Sequence, residues 1–324
     1  MMQMNQQLAI GIDIGGTNTV FGLVDARGDI LYRGAISTKN NDTIDKFIDA
    51  LYNAIIPAIE KVGGKDKIKG IGIGAPNGNY YKGTIEYAPN LQWKGIIPLA
   101  ELASKKFGVP AALTNDANAA AVGEMMYGAA KGMKDFIMIT LGTGVGSGIV
   151  ANGQLIYGHD GFAGELGHTI IIPNGRLHWG TGSHGSLEAY ASATGVVLTA
   201  QEFLASDAGA SSILKKIPAD KLDAKTIYEA AVKKDKLALD VYNFTGKVLG
   251  QALANFIMFS SPEAIILFGG LTKAGDLIIT PTRTHMEENL LPIFQNKVKL
   301  IFSQLNESDA AILGASALVW EIKH

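Results

Sequence analysis

Three short runs in this sequence join a strand-like stretch to a glycine turn, and each could hold part of a nucleotide. The first is Asp13-x-Gly15-Gly16-Thr17, which follows the apolar run 8–14. A turn of this kind exposes backbone N–H groups to phosphate oxygens, and Thr17 adds a hydroxyl. Asp13, at the strand end, stands where a carboxylate could hold Mg²⁺, directly or through water. The run is neither a Walker A loop nor GxGxxG, and a plain tight hairpin would use Gly-Gly equally well. The second is Gly142-Thr143-Gly144, after 136–141. Weak alone, it gains from being a copy of the first, because two such turns facing each other across a cleft could clamp a triphosphate. Close backbone approach and positive φ are the expected reasons for glycine at Gly16 and Gly144. The third is Gly269-Gly270, after 264–268, where a flat adenine-ribose could lie against backbone; a sterically required turn is the equal alternative.

Acid–base chemistry has its candidates too. Thr114-Asn115-Asp116 ends a strand and opens a helix. Asn or Asp there is a good helix cap; the functional alternative makes Asp116 a general base and Asn115 a ligand to a sugar hydroxyl. Gly164-Glu165-Leu166-Gly167-His168 is polar and flanked by glycine, and His159, His168, His178 and His184 fall close together. Without cysteine or well-spaced carboxylates, such a histidine group is expected to be polar surface, and no metal site is expected. Glu188 opens a helix, where the dipole favours an acid, or serves as a ligand.

The elements that must position these residues alternate strand and helix, the pattern of an α/β protein. Residues 8–14, 20–24 and 30–32 read as strands joined by tight turns, and 43–61 as a helix with Phe47, Leu51, Ile55 and Ala58 on one face. Strands at 69–75 and 109–114 and a helix at 117–127 follow. The unit strand, glycine turn, strand, turn, strand then recurs at 136–157, which predicts an internal duplication. Helices are expected at 187–204, 224–233, 237–259 and 310–323, and a strand at 264–268. Two domains are expected, 1–116 with about 305–324, and 117–304, joined by crossing segments rather than a linker.

Composition narrows the function. The chain has 324 residues, 47% hydrophobic and 18% charged, with a net charge of −2, so nothing favours nucleic acid as a partner. It has no cysteine, which excludes disulfides and thiolate metal sites. The first seven residues lack a basic n-region and apolar h-region, so no signal peptide is expected, and no apolar run is long enough for a membrane span.

These motifs, in this order and over nearly the whole chain, resemble the ROK family (repressors, open reading frames and kinases), and within it the bacterial glucokinases. Asp13 to Thr17 resembles the family's phosphate motif. Gly74-Ala75-Pro76-Asn77-Gly78 resembles its proline-containing glycine turn, with Asn77 where a Pro-Gly pair is common. Ala88-Pro89-Asn90-Leu91 resembles a sugar-contact loop, 115–120 the catalytic segment, 141–148 the second phosphate loop, and Glu165-x-Gly167-His168 the family signature. The resemblance implies an actin-like ATPase (ribonuclease H-like) fold, two domains around a cleft, a homodimer and a cytoplasmic location. It implies Asp116 as the catalytic base; Asn90, Asn115, Asp116, Glu165, His168 and Glu188 around the sugar; and Asp13, Gly15, Gly16, Thr17, Gly142, Thr143, Gly144, Gly269 and Gly270 around ATP and its Mg²⁺. The activity implied is transfer of the γ-phosphoryl group to the primary hydroxyl of a hexose, glucose first. N-acetylmannosamine, N-acetylglucosamine, fructose, mannose and allose stay open as acceptors, and polyphosphate as donor. The family's repressors carry a helix-turn-helix before the phosphate loop, and Asp13 lies too near the N-terminus for one.

One departure from the family is plain. Its members usually carry a Cys-x-Cys-Gly-x-x-Gly-Cys-x-Glu zinc segment, whereas here 179–188 read Trp-Gly-Thr-Gly-Ser-His-Gly-Ser-Leu-Glu. The glycines and Glu188 keep their spacing; Trp179, Thr181 and Ser186 replace the cysteines. Full activity without zinc is therefore expected. A hydroxyl of Thr181 or Ser186, or a backbone carbonyl, is expected on the inner nitrogen of His168, with Trp179 filling the apolar space.

Overall fold

The computed structural model describes residues 7–206 and 211–321. The N-terminal residues read for a signal peptide and the last two residues of the predicted closing helix lie outside them. In chain order the elements are β1 (Leu8–Ile14), β2 (Asn18–Asp25), β3 (Ile30–Ser37), α1 (Ile44–Lys61), β4 (Ile68–Gly74), β5 (Gly78–Asn79), β6 (Thr84–Glu86), β7 (Ile96–Ile97), α2 (Leu99–Phe107), β8 (Ala111–Thr114), α3 (Asp116–Tyr127) and β9 (Phe136–Leu141). They continue with β10 (Val145–Ala151), β11 (Gln154–Leu155), α4 (Glu188–Ala191), α5 (Ala193–Leu204), α6 (Ala224–Val232), α7 (Lys236–Ser260), β12 (Ala264–Phe268), α8 (Asp276–Glu288), β13 (Lys299–Phe302) and α9 (Glu307–Glu321). No helix among the described residues is long and apolar enough to cross a membrane.

The chain forms two compact units: residues 1–133, 148–164 and 304–324, and residues 134–147 and 165–303. The first unit thus takes in α3 and 148–164, which the sequence reading had put in the second domain; α3 packs against α9 there. Its sheet has the order β3-β2-β1-β4-β8, in which β1, β4 and β8 run parallel and β1, β2 and β3 antiparallel. The other five-stranded sheet has the order β11-β10-β9-β12-β13, with β9, β12 and β13 parallel. The two orders match strand for strand, so the repeat legible in the sequence is a repeat of topology, and the fold is that of the actin-like ATPases.

Local chemistry explains the elements. Thr43 caps α1 by accepting the Lys46 N–H, and Phe47, Leu51, Ile55 and Ile59 form its buried face. The helix expected over 187–204 is two helices. Ser192 ends α4 by donating to the Glu188 carbonyl (2.7 Å) and caps α5 by accepting the Gly195 N–H (3.0 Å). Two glycines of the first sheet serve packing rather than a ligand. Gly11 and Gly72 are register partners in β1 and β4. A Cβ on Gly11 would stand 2.2 Å from the Ile312 carbonyl, and one on Gly72 1.8 Å from that of Ala315, so their absence lets α9 lie on the strands.

Candidate active site

In the first unit the candidate carboxylates meet at the C-terminal ends of parallel strands. Asp13 pairs with Gly74 in register, and Gly74 with Thr114, two residues before Asp116. A Cβ on Gly74 would stand 3.3 Å from Asp13 Oδ1 and 3.7 Å from the Asp116 Cα, so the bare glycine is what gives the two acids a common space. Burial, with the Asp116 charge second, raises the Asp13 pKa to about 7. Asp116 is open at its surface, yet protein surrounds its carboxyl closely, and this desolvation raises its pKa despite the hydrogen bond from Ala117. The cap and the candidate base are separate residues. Asn115 Oδ1 accepts the Asn118 N–H (2.6 Å) and caps α3, while Asp116 Oδ1 accepts the N–H of Ala117 next to it (2.9 Å). Asp116 is therefore not needed to start the helix.

The turn between β1 and β2 is closed by the Gly15 N–H bond to the Asn18 carbonyl (3.0 Å). Among the described residues the N–H groups of Gly16 and Thr17 meet no protein acceptor, which leaves them for an anion. Asn90 lies against this turn: a Cβ on Gly16 would stand 2.8 Å from the Asn90 carbonyl. Asn77 has φ 50°, a left-handed conformation that asparagine tolerates and that glycine would otherwise supply.

In the second unit, the turn between β9 and β10 is closed by the Gly142 N–H bond to the Gly144 carbonyl (3.0 Å), and among the described residues the Thr143 and Gly144 N–H groups meet no protein acceptor. Positive φ explains neither pair of loop glycines: Gly15, Gly16, Gly142 and Gly144 all lie outside the left-handed region, which corrects the sequence expectation. Space explains Gly144, whose Cβ would stand 2.3 Å from Glu188 Oε2, while a Cβ on Gly142 would meet nothing within 4 Å. Gly269 does need its freedom, with φ 105° and the Leu141 carbonyl 2.6 Å from where a Cβ would be. Gly142, Thr143 and Gly270 border a cavity of about 560 Å³ walled by Ala193, Ala224, Tyr228, Tyr242, Leu271 and Ala274.

The Glu165–His168 turn lies on β10. Gly167 is a glycine because a Cβ would stand 2.0 Å from the Val145 carbonyl, and the Leu166 N–H donates to Ser147 Oγ (3.1 Å). His168 Nε2 is 3.9 Å from Glu165 Oε2. Ligand atoms of His168, His178 and Glu188 all lie within 4.8 Å of one another. Glu165, His168 and Glu188 thus lie in one unit, and Asp13, Asn115 and Asp116 in the other.

The ROK family model matches residues 9–322. The chain belongs to the ROK family. Its relatives include the glucokinase of Halalkalibacterium halodurans, 36% identical over 98% of this chain and 96% of that one. The glucokinase of Thermotoga maritima is 33% identical over 96% of this chain and 97% of that one. Among solved structures, a ROK family glucokinase from Streptomyces griseus in complex with glucose and AMPPNP is similar, with a TM-score of 0.79 and 35% identity over 97% of this chain and all of that one.

Within this ROK chain the zinc segment does not fit zinc. There is no thiolate, and the histidine nearest the missing cysteines is already committed. His178 Nδ1 accepts the N–H groups of Gly180 (3.2 Å) and Thr181 (3.0 Å) and lies 3.0 Å from Thr181 Oγ1. Its proton is therefore on Nε2, which donates to Glu188 Oε1 at 2.6 Å. A metal would need the lone pair that this nitrogen does not have. His178 was missed by the sequence reading, which expected polar surface; it is buried, at 3% exposure. The hydroxyl of Thr181 goes to His178 rather than to His168, and Ser186 Oγ is buried without a partner among the described residues. Trp179 lies against the His178 ring, with centroids 4.3 Å apart and planes tilted by 31°, but it is 48% exposed, so it fills no interior space. A lone histidine in a glycine-rich loop carries no periodic signal; its position beside the first missing cysteine was the available clue.

Proposed function

We propose that the chain is an ATP-dependent hexose kinase of the glucokinase type, transferring the γ-phosphoryl group of MgATP to the primary hydroxyl of glucose. The observation that carries the reading is Asp116: a carboxylate released from capping duty, beside Asp13 at the strand ends, whose pKa desolvation raises. It accepts the hydroxyl proton as the oxygen attacks phosphorus in line. The transition state is loose, so positioning and charge neutralisation do most of the work. The unpartnered N–H groups of Gly16, Thr17, Thr143 and Gly144 supply donors to phosphate oxygens. Asp13 holds the Mg²⁺ that arrives with ATP, directly or through water. The apolar cavity beside Gly142 and Gly270 suits a purine face, which favours a nucleotide over polyphosphate as donor.

Asn90, Asn115, Glu165, His168 and Glu188 are the hydroxyl ligands in this reading. Buried acceptors left unpaired by a missing or blocked hydroxyl make such a pocket selective, and carboxylates favour free hydroxyls over N-acetyl groups. The same reading carries a homodimer and a cytoplasmic enzyme with no nucleic-acid partner. A coupled ADP-release assay tests it with ATP or polyphosphate as donor and a panel of hexoses. The highest kcat/KM is expected for glucose with ATP. Absence of hexose-dependent ADP release would remove the kinase assignment, and a higher kcat/KM for N-acetylmannosamine or fructose would remove the glucose assignment.

A further inference from the structure

We infer that His178 is a positioning residue: a neutral imidazole, protonated on Nε2, that clamps the Glu188 carboxylate against the N–H of Val145 without a metal ion. That the clamped carboxylate receives a sugar hydroxyl rests on the kinase reading above; the clamp itself does not.

Both oxygens of Glu188 are engaged. Oε1 accepts from His178 Nε2 at 2.6 Å, and Oε2 accepts the Val145 N–H at 2.6 Å. These are short bonds to an anion, the stronger class. The histidine end is fixed in turn. Two backbone N–H groups and the Thr181 hydroxyl surround Nδ1, and Thr181 Oγ1 lies 2.8 Å from Ser183 Oγ. The ring therefore has one orientation and one tautomer, set by the loop 178–183. Val145 directly follows the turn 142–144, and the missing side chain of Gly144 is what lets the carboxylate reach it. His178 also meets the His168 ring edge-on, with centroids 5.6 Å apart and planes at 90°. One buried imidazole thus orients two residues assigned to the sugar and ties one of them to the second phosphate loop.

Two other readings of the same atoms make different predictions. A metal bridging His168, His178 and Glu188 would have to take the Nε2 position from its proton, leaving an imidazolate facing two N–H donors. A histidine that merely satisfies the interior would affect folding but not ligand binding once the chain is folded.

The test compares wild type with His178→Gln, which keeps an N–H near the Nε2 position, and His178→Ala, which does not. Long-range ¹H–¹⁵N spectra of histidine-labelled wild type report the tautomer. Calorimetry gives dissociation constants for glucose and for a non-hydrolysable ATP analogue, and elemental analysis gives bound metal. The Nε2–H form is expected in the wild-type spectrum. His178→Ala should weaken glucose about 10- to 100-fold, the usual range for loss of an orienting partner, and nucleotide by less than about 3-fold, with His178→Gln recovering most of the loss. A charged or Nδ1–H ring, one tightly bound metal per chain, or wild-type glucose affinity in folded His178→Ala would each overturn the inference. If wild type binds no hexose, the kinase reading falls instead, and the spectrum together with metal content decides the clamp. If His178→Ala does not fold, the spectrum and the glucose affinity of His178→Gln decide it.

Discussion

Gly144→Ala separates two reasons for a glycine in the second phosphate loop. If the residue is there for the nucleotide, a methyl group should harm ATP binding. The structure points elsewhere. A Cβ at 144 would stand 2.3 Å from Glu188 Oε2 and 3.0 Å from its Cδ. Ordinary contact begins near ~3.4 Å, so the carboxylate must withdraw by about 1 Å. The 2.6 Å bond from the Val145 N–H then stretches beyond hydrogen-bond range, and the bond from His178 bends with it. A hydroxyl that relied on this carboxylate loses a positioned acceptor, worth about 1–3 kcal/mol, or roughly 5- to 150-fold in glucose dissociation constant. The nucleotide should change by less than about 3-fold, an effect under ~0.7 kcal/mol. Calorimetry with glucose and a non-hydrolysable ATP analogue measures both, with circular dichroism and thermal unfolding as controls for the fold. The reasoning is refuted if folded Gly144→Ala keeps its glucose affinity while losing more than about tenfold for nucleotide.

Gly142→Ala is the complement: its Cβ would meet nothing within 4 Å, so melting temperature should hold while the ATP analogue binds less tightly, because the open space is where phosphate belongs. Unchanged nucleotide affinity there would count against the loop as a phosphate site. Asp116→Asn should lower kcat by about 10²–10⁴ with glucose still bound, since the amide cannot take a proton; retention of more than about a tenth of wild-type turnover in a steady-state assay would remove Asp116 as the base. Asp13 has a folded pKa of about 7 against an ordinary 3.8, so between these values the folded chain keeps a proton that the unfolded chain has lost. Its contribution to the stability of the unliganded protein is greatest below about pH 4, falls as pH rises toward 7, and is level above that. Melting temperatures across pH 4–8 should show a shallower fall for Asp13→Asn than for wild type, and equal slopes would exclude this role.

The sequence made the order of elements visible because each sheet begins with the same hairpin unit, and hairpins are local. β9 and β12 came out with the boundaries expected, and α1 within one residue. What it missed is what depends on contacts distant in the chain. The helices α2 and α8 are short and, in α8, interrupted by Pro281, although each buries a stripe at helical spacing: Leu99, Ala100, Ala103 and Phe107 in α2, and Ile278, Ile279, Thr282 and Met286 in α8. β13 is a four-residue strand that exists because β12 offers it a parallel edge. Gly11 and Gly72, inside strands β1 and β4, are glycines because the backbone of α9 approaches them, more than two hundred residues away along the chain. Among the site residues, Asp13, Glu165 and His168 stood out by type and by nearby glycine, and Asp116 and Glu188 by type and by their place at the start of a helix. His178 did not, because its importance comes from two backbone N–H groups and one carboxylate that only the folded loop brings to it.

The two loops share a feature that simple phosphate binding does not require. In the first unit the space beside Gly16 is filled by the Asn90 backbone, and in the second the space beside Gly144 by the Glu188 carboxylate. Asn90 and Glu188 are both assigned to the sugar. On the proposed assignment, then, in each copy of the repeated unit the turn offered to phosphate rests directly on a segment offered to the hexose. A side chain at either glycine would push these segments apart and so move a group assigned to the sugar. Space alone thus requires glycine at these positions, although neither has a positive φ. On that proposed assignment the arrangement also gives a short path within each unit by which an occupied sugar subsite would stiffen the loop that holds a transferring phosphoryl group. Stiffening matters for a reaction whose catalysis is mostly positioning, and it gives a physical reason for a kinase to act faster on its sugar than on water.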